Sequence, residues 1–464
     1  MLRLTREQPD FWDQILPEEA RHISPELQVV DSVLDDEAFL APFRPRFPSK
    51  RGRYTIPMDT YLRLMFLKMK YGLGYESLVA EVNDSVSWRR FCRISLSARV
   101  PDASTLIKLT NGPCQGLAEE VHDALVKKLG SKKVLRARKL RVDTTVVEAD
   151  IHYPTDADLL ADGVRVVTRA IGQVQQAGVA KGMPFRNAGR AIGKRLLGLA
   201  KGLKQEDGKK QATRASVTAE VLAITEQVLR RAKLVRERIK QELDELGNRL
   251  CPGIQRRVDQ LDIWLGRTQR VVEQTKQVLS GNPHIKNRLV SLFDPDARPI
   301  RKGKLNVAGG TEFGYKVVIA DEDRGFVTDY QVTSGNPEDG TLLVASVERH
   351  SKRVGRVPKE VAVDRGMASA GNDRALARLG VVHRSLPKTG QKNAVEHAKE
   401  RSAWFRRLQR FRAGGEARIS VLKRKYGWRR SRLRGLEGVK TWVGWGVITH
   451  NLVKYARFEM AATA

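Results

Sequence analysis

The chain has 464 residues, with 84 Lys or Arg against 53 Asp or Glu, and therefore a formal net charge of +31. This charge indicates a polyanionic partner, with nucleic acid ahead of an anionic membrane surface, and small acidic substrates alone do not require it. Hydrophobic residues make up 41% of the chain, enough to bury a core in each of about two to four domains, which excludes disorder throughout.

The cysteines argue against two common classes of small domain. Cys92, Cys114 and Cys251 form no Cys-x-x-Cys pair, which is unlike the usual zinc modules and unlike a disulfide framework. The N-terminus lacks the apolar core of a signal peptide, and no segment has 18 consecutive apolar residues. We therefore expect a cytoplasmic protein without a membrane partner.

Residues 1–135 are predicted to form a helical N-terminal domain. Apolar residues recur at helical spacing over residues 61–82, and residues 72–74 separate two short helices. A further helix is predicted from Trp88, and residues 101–105 are typical of a helix N-terminus. The pattern is compatible with helix-turn-helix geometry, so this domain either recognises DNA or is a helical packing module.

A strand and a long helical segment follow. Residues 140–147 form a short segment rich in β-branched and apolar residues, which predicts a strand. Residues 156–290 have helical periodicity, strongest over 215–246 and 254–279, with a stop at 281–283. We interpret them as a helical insertion.

Alternating strands and helices resume after the insertion. Strands are predicted at 315–320 and 326–333 with a hairpin connection between them, then a helix over 337–350. A strand at 360–364, a helix at 369–379 and a strand at 381–383 complete an α/β layer.

Three carboxylates are candidates for chemistry. Asp143 lies within the first strand, and Asp364 ends another. Oxygen ligands of this kind suit Mg²⁺, which needs few carboxylates besides water and substrate phosphates. A helix from Glu416 would place Lys423 about two turns further on nearly the same face, while the Gly414-Gly415 pair is expected to interrupt or cap that helix. Each acid alone is equally compatible with a structural role.

These residues resemble a known family. Arg412, Glu416 and Lys423 match the Arg-x3-Glu-x6-Lys signature of bacterial insertion-sequence transposases of the DDE class in both spacings. The tyrosine that usually stands three residues before that arginine is replaced by Gln409. Asp143, in Asp-Thr-Thr, and Asp364, in Asp-Arg-Gly, are similar to the family's first two acidic residues, and the order of domains is similar as well.

The resemblance implies an α/β ribonuclease H-like core, a mixed sheet flanked by helices, interrupted by the helical insertion and preceded by the all-α N-terminal domain. The expected domains are residues 1–135, the catalytic residues 136–155 with 291–458, and the insertion 156–290. It also implies that Asp143, Asp364 and Glu416 are both catalytic residues and ligands of two Mg²⁺ ions, with Mn²⁺ as a substitute. DNA strand cleavage and transfer by the resulting 3′-hydroxyl would follow.

Basic residues surround the proposed third carboxylate. Residues 384–440 contain 18 Lys or Arg and four Asp or Glu, and aromatic residues among them could stack on bases or anchor the core. The residues assigned to DNA are Arg412, Lys423, Arg424, Lys425, Trp428, Arg429, Arg430, Arg301, Lys302, Lys304 and Lys316.

The expected partners are the terminal inverted repeats, target DNA and a second copy of the chain in a synaptic complex at the bacterial nucleoid. Two alternatives remain open. One is a ribonuclease H-like nuclease or resolvase without strand transfer, and the other is a non-catalytic DNA-binding protein derived from a transposase.

Overall fold

The structure is a computed structural model that describes residues 1–5, 11, 15, 17–48, 52–202, 207–246, 251–301, 310–388 and 390–463. Its contacts divide the chain into two compact units, Met1–Asp150 with Ile300–Ala464, and Ile151–Pro299. The sequence predicts three domains, whereas the N-terminal helices here share one hydrophobic core with the C-terminal helix. We call the two units the first unit and the second unit.

The N-terminal part of the first unit is helical, as predicted. Its helices are α1 Glu18–Arg21, α2 Pro25–Leu34, α3 Met58–Tyr71, α4 Tyr75–Asp84, α5 Val86–Phe91, α6 Ala103–Asn111 and α7 Leu117–Ser131, with 3-10 turns at Glu37–Phe39 and Ala41–Arg46. Every residue of α3 from Met58 to Met69 is buried, and Tyr61 packs edge-on against Trp445 with ring centroids 6.2 Å apart. Because these side chains are buried, α3 is not a helix that can lie in a DNA groove.

A mixed sheet follows in the first unit. Its strands are β1 Lys139–Glu148, β2 Arg298–Arg301, β3 Thr311–Glu322, β4 Val327–Val332, β5 Glu360–Val363 and β6 His383–Ser385. The strand order is β2-β3-β1-β5-β6, with β4 paired to β3. β1 is antiparallel to β3, which forms the predicted hairpin with β4, and β1 is parallel to β5. The strand predicted at 381–383 is displaced, because pairing to β5 begins only at His383.

Helices cover the sheet. They are α12 Asp339–Val354, α13 Ala370–Arg378, α14 Ala394–Arg401, α15 Ala403–Lys425 and α16 Gly435–Thr463. Leu343 and Val347 of α12 share an apolar core with Val142 of β1 and Val363 of β5. This core fixes the backbone on which Asp143 and Asp364 lie.

The second unit consists mainly of long helices, in agreement with the predicted periodicity. They are α8 Asp156–Gln176, α9 Gly189–Gly202, α10 Asp207–Leu246 and α11 Pro252–Leu279. Two apolar clusters join them, one containing Leu160, Val221 and Val271 and the other Ile171, Ala232 and Val258. Across the described residues of both units, no helix combines the length and the apolar character that crossing a membrane requires.

Candidate active site

The two predicted aspartates lie at the ends of paired parallel segments. Val142 of β1 is in register with Val363 of β5, so the next residues, Asp143 and Asp364, occupy equivalent positions. The Asp143 carboxylate accepts a hydrogen bond from the Thr144 backbone N–H, and Asp364 accepts one from the Arg365 N–H, both at 2.8 Å. Parallel pairing of two apolar strands therefore brings together acids that are 221 positions apart.

The third predicted acid, Glu416, lies in the middle of α15. This helix is continuous from Ala403 to Lys425, so the prediction that Gly414 and Gly415 interrupt or cap it is wrong. A Cβ at position 414 would lie 2.7 Å from Nη1 of Arg141, and one at 415 would lie 3.4 Å from its Cδ. The glycines are explained by close approach of the helix to β1.

Arg141 is the contact between β1 and α15. Its Nε donates to Asp321 on β3 at 2.6 Å, and its Nη1 donates to the Phe411 carbonyl oxygen at 2.7 Å. Arg418 also donates to Asp321, at 3.3 Å. Because Arg141 and Asp321 are both buried, this cluster holds α15 against the sheet and sets the position of Glu416.

One open cleft of about 790 Å³ contains all three predicted acids. Asp143 is half-buried, whereas Asp364 and Glu416 are exposed. The face of α15 along the cleft is formed by Arg412, Glu416, Ile419, Ser420, Lys423 and Arg424. The sequence-based expectation that Glu416 and Lys423 share a helix face agrees with this lining.

Arg412 lies between the two aspartates. Its Nη1 is 3.9 Å from Asp143 Oδ2 and 3.8 Å from Asp364 Oδ1. These separations are at the outer limit of an ion pair and too long for a direct hydrogen bond. Arg412 therefore reduces the repulsion between the acids without a close hydrogen bond to either.

The cleft offers the oxygen donors that a hard cation prefers, but its described side chains do not form a complete coordination site. Among the described residues, no group of three or more His, Cys, Asp or Glu side chains is close enough together to hold a metal ion. Asp143, Asp364 and Glu416 nevertheless offer only oxygen donors, and small divalent cations are commonly held by one or two carboxylates with water and substrate phosphates. The acids fit such an ion if other ligands complete its coordination.

Sequence reasoning missed a fourth acid in the cleft, Asp339, in the first turn of α12. Its carboxylate accepts from Thr144 Oγ1 at 2.8 Å and from Lys316 Nζ at 2.7 Å. Lys316 Nζ also donates to the Pro337 carbonyl oxygen, and its side chain is 12% exposed. The assignment of Lys316 to DNA is therefore corrected, since its charge is used within the protein.

Two further residues of α15, Lys423 and Gln409, make contacts near the cleft. Lys423 Nζ is 3.9 Å from Glu312 Oε1, another acid of the cleft that the sequence did not single out. Gln409, in the position of the family's tyrosine, donates to Ser385 Oγ at 2.9 Å and to the Val363 carbonyl oxygen at 3.4 Å. Gln409 thus ties α15 to the ends of β5 and β6.

Besides Arg412, Lys423 and Lys316, the residues proposed for DNA contact fall into three groups. Exposed side chains are those of Arg301, Arg424, Lys425, Arg429 and Arg430. Trp428 is wholly buried and its Nε1 donates to the Val443 carbonyl oxygen, so its assignment to DNA is wrong, because an enclosed indole cannot stack on a base. Lys302 and Lys304 lie outside the described residues.

Comparison with protein-family models gives two matches. Residues 11–111 match a transposase domain, DUF772, and residues 288–452 match a transposase DDE domain. The second match contains Asp364, Glu416 and Lys423, whereas Asp143 precedes it. No solved structure matches the chain.

Proposed function

We propose, from the premise that this chain belongs to the insertion-sequence DDE transposases, that Asp143, Asp364 and Glu416 form its catalytic centre. The observation that carries the proposal is the shared cleft, which brings two aspartates of adjacent parallel strand segments and one helical glutamate together with Arg412 and Lys423. Exposed cations extend from the same cleft along the chain to Arg430. Acids for metal and cations for phosphate are the two sets that phosphoryl transfer to DNA requires.

Enzymes of this family depend on divalent metal ions, and we assign Mg²⁺, with Mn²⁺ as a substitute, to the three carboxylates. Two such ions, when bound, activate the attacking oxygen and stabilise the leaving oxygen of an in-line displacement. The backbone N–H groups of Thr144 and Arg365 fix one oxygen of each aspartate. Arg412 faces the second oxygen of Asp143, whereas at Asp364 it faces the same oxygen, Oδ1, that accepts from the Arg365 N–H.

Arg412 and Lys423 have a different proposed role. Neither makes a charge-assisted hydrogen bond of normal length to an acid, since their closest separations from carboxylate oxygens are 3.8 and 3.9 Å. A DNA phosphate can therefore bind Arg412 and Lys423 without breaking a close hydrogen bond to a carboxylate. They would orient the scissile phosphate against the carboxylates.

The proposed reaction has two displacements at phosphorus. Water first breaks the bond to the 3′ oxygen at the transposon end, which leaves a 3′-hydroxyl and a 5′-phosphate. That hydroxyl then attacks a target phosphate, forms a new phosphodiester bond and releases a target 3′ oxygen. No bond to the protein forms in either step.

The rest of the chain has proposed roles at a coarser level. The mixed sheet flanked by helices supports a ribonuclease H-like core, and the compact second unit, Ile151–Pro299, supports a helical insertion within it. We propose that the N-terminal helices, α3 excepted, contribute to recognition of the terminal inverted repeats. Synapsis of two transposon ends would require two copies of the chain, and the substrate places the protein at the bacterial nucleoid.

The test is cleavage and joining of labelled DNA that carries the ends flanking the gene. Asp143→Asn, Asp364→Asn and Glu416→Gln should each abolish cleavage in Mg²⁺ while preserving binding to the ends. Glu437→Gln is the matched control, because Glu437 is an exposed acid that pairs with Lys440 outside the cleft. Full cleavage by any of the three variants would remove that residue from the site.

The same assay separates the alternatives. Joining of the labelled 3′ end to a second duplex identifies a transposase, whereas cutting without joining identifies a nuclease or resolvase. Binding by the wild type without any cleavage would identify a non-catalytic DNA-binding protein.

A further inference from the structure

A second cleft of about 570 Å³ adjoins the candidate active site in the first unit. Both clefts are lined by Glu148, Lys423, Arg424 and Arg429, so they lie side by side along a shared wall. The second cleft also contains Lys68 of α3 together with Arg430 and Arg432. Its lining therefore joins the N-terminal helices to the basic segment, which we define as residues 423–432.

Lys68 is an unusual residue in this cleft, because a buried lysine normally has an acidic partner. Lys68 is only 3% exposed, and its Nζ lies 4.6 Å from the ring centroids of both Tyr75 and Trp442. None of the described carboxylates pairs with it. Burial, and secondarily the Arg432 charge, lower the pKa of Lys68 to about 8, so the ammonium remains charged at neutral pH.

The energetics favour an anion from outside the protein. Burial of an unpaired ammonium is costly, and cation–π contacts on two rings offset only part of that cost. Arg432 adds repulsion rather than compensation. A side chain that destabilises the free protein in this way is explained if a negatively charged ligand enters the cleft.

Hydrogen bonds and close packing hold the walls of this cleft together. Trp442 Nε1 donates to the Gly427 carbonyl oxygen at 2.7 Å, so the ring beneath Lys68 also anchors the basic segment. Gly427 has φ +75°, and a Cβ there would lie 2.7 Å from the Trp442 ring. The backbone of Ser431 further pairs with Glu148 at the end of β1. Trp442 thus contacts both Lys68 and the basic segment, and fixes their relative position.

We propose that Lys68 and Arg432 hold a backbone phosphate of the DNA whose neighbouring segment occupies the candidate active site. The proposal rests on the proposed function, because the position of this cleft directly beside the candidate active site is what selects DNA over a small anion. A polymer with regularly spaced phosphates can reach both clefts at once. Lys68 would then set the path of the strand beyond the catalytic carboxylates.

The test is binding of a duplex of arbitrary sequence, measured by fluorescence anisotropy over a range of salt concentrations in EDTA. Lys68→Met should make the slope of log Kobs against log salt less negative by about 1, the change expected for one lost phosphate contact. If the two proteins bind equally at 1 M salt, this slope means about tenfold weaker binding at 0.1 M. Lys68→Met should not lower the free energy of unfolding, because it removes a buried unpaired charge.

Lys70→Met is the matched control on the same helix. Lys70 pairs with Glu26 and lies outside the cleft, so its loss should leave the slope unchanged. An equal change of slope in both variants would show a general charge effect and overturn the proposal. Arg432→Gln, at an exposed position, should also change the slope by about 1. An unchanged slope in that variant would overturn the shared phosphate site even if Lys68→Met failed to fold.

Two further readouts keep the proposals separate. Metal-free binding does not depend on the carboxylates, so failed cleavage would count against the proposed function and leave the Lys68 result intact. Inorganic phosphate alone at millimolar concentration should show no Lys68-dependent binding by calorimetry. Such binding, together with an unchanged duplex slope in Lys68→Met, would identify a small-anion site and overturn the assignment to DNA.

Discussion

Two arginine–aspartate clusters lie along α15, and they differ in how tightly they are closed. On the sheet side, buried Arg141 holds Asp321 at 2.6 Å and Arg418 adds a second contact. On the cleft side, Arg412 stays 3.8 to 3.9 Å from Asp364 and Asp143, and Asp364 is 59% exposed. The closed cluster can hold the helix in place, whereas the open one keeps its charges available to ligands.

The largest expected effect comes from breaking the closed cluster. Asp321→Asn leaves Arg141 buried without its counter-charge, and loss of one partner of a buried pair typically costs about 3–5 kcal/mol. We expect the free energy of unfolding in urea to fall by this amount. Asp364→Asn is the control in the open cluster and should change it by less than about 1 kcal/mol. Equal losses in the two variants would contradict the distinction between the clusters.

Acid pH should weaken the closed cluster through His450. Its Nε2 lies 3.3 Å from Arg418 Nη1, and burial followed by the Arg418 charge lowers its pKa to about 3. The unfolded chain takes up this proton below about pH 6.5 and the folded chain does not. Stability is therefore fully present above pH 6.5 and falls by on the order of 1 kcal/mol per pH unit as the pH drops towards 3.

His450→Gln should reduce this pH dependence, measured as the free energy of unfolding between pH 7 and pH 5. Lys454, Arg457, Tyr426 and the Gly325 carbonyl oxygen also face His450, and none of these side chains is altered in the variant. Exposed His284→Gln is the control and should leave the slope unchanged. A slope that is the same in the wild type and in His450→Gln would show that the proton is taken up elsewhere.

Two other buried histidines should also lower the stability of the folded chain at acid pH. Burial lowers the pKa of His122 and of His350 to about 4. Their contribution remains in the His450 variant, so acid destabilisation should become weaker without disappearing.

The two glycines of α15 provide a smaller perturbation. Gly415→Ala gains helix propensity of about 1 kcal/mol and meets Arg141 Cδ at an ordinary contact distance, so it should be neutral or stabilising. Gly414→Ala places its Cβ 2.7 Å from Arg141 Nη1, which cannot move freely because it donates to Phe411. Overpacking of this kind costs about 1–3 kcal/mol. Thermal unfolding should rank Gly414→Ala below Gly415→Ala, and the reverse order would show that Arg141 yields easily.

The open cluster was largely predictable from sequence, and the closed one was not. Short apolar runs rich in β-branched residues predicted one strand that contains Asp143 and another that ends in Asp364, and the seven-residue spacing of Glu416 and Lys423 predicted one helix face. These patterns are local. The Arg141–Asp321 pair joins residues on different strands, and neither local pattern marks it.

The errors have the same physical origin. Gly414 and Gly415 look like helix breakers until the approach of Arg141 is known. Trp428 among arginines resembles a base-stacking residue, and only the packing of α16 around it encloses the indole. Asp339 has the sequence pattern of an ordinary first-turn acid, and its contact with Thr144 depends on the position of α12 beside β1.

The smallest expected effect on stability belongs to Arg412. Arg412→Gln should change the free energy of unfolding by less than about 1 kcal/mol, because its separations from the acids are long and Asp364 is exposed to solvent.

The same substitution removes a cation that competes for Asp143 and Asp364, so Mn²⁺ should bind more tightly to the DNA-free variant than to the wild type, as measured by calorimetry. Cleavage should nevertheless decrease, because the scissile phosphate loses a proposed partner. Tighter Mn²⁺ binding together with slower cleavage separates this role from a structural one, in which metal affinity and stability would fall together. Arg407→Gln is the control on the same helix, since Arg407 pairs with Glu360 and does not line the cleft. Unchanged Mn²⁺ affinity in Arg412→Gln would show that the guanidinium does not compete with the metal for these acids.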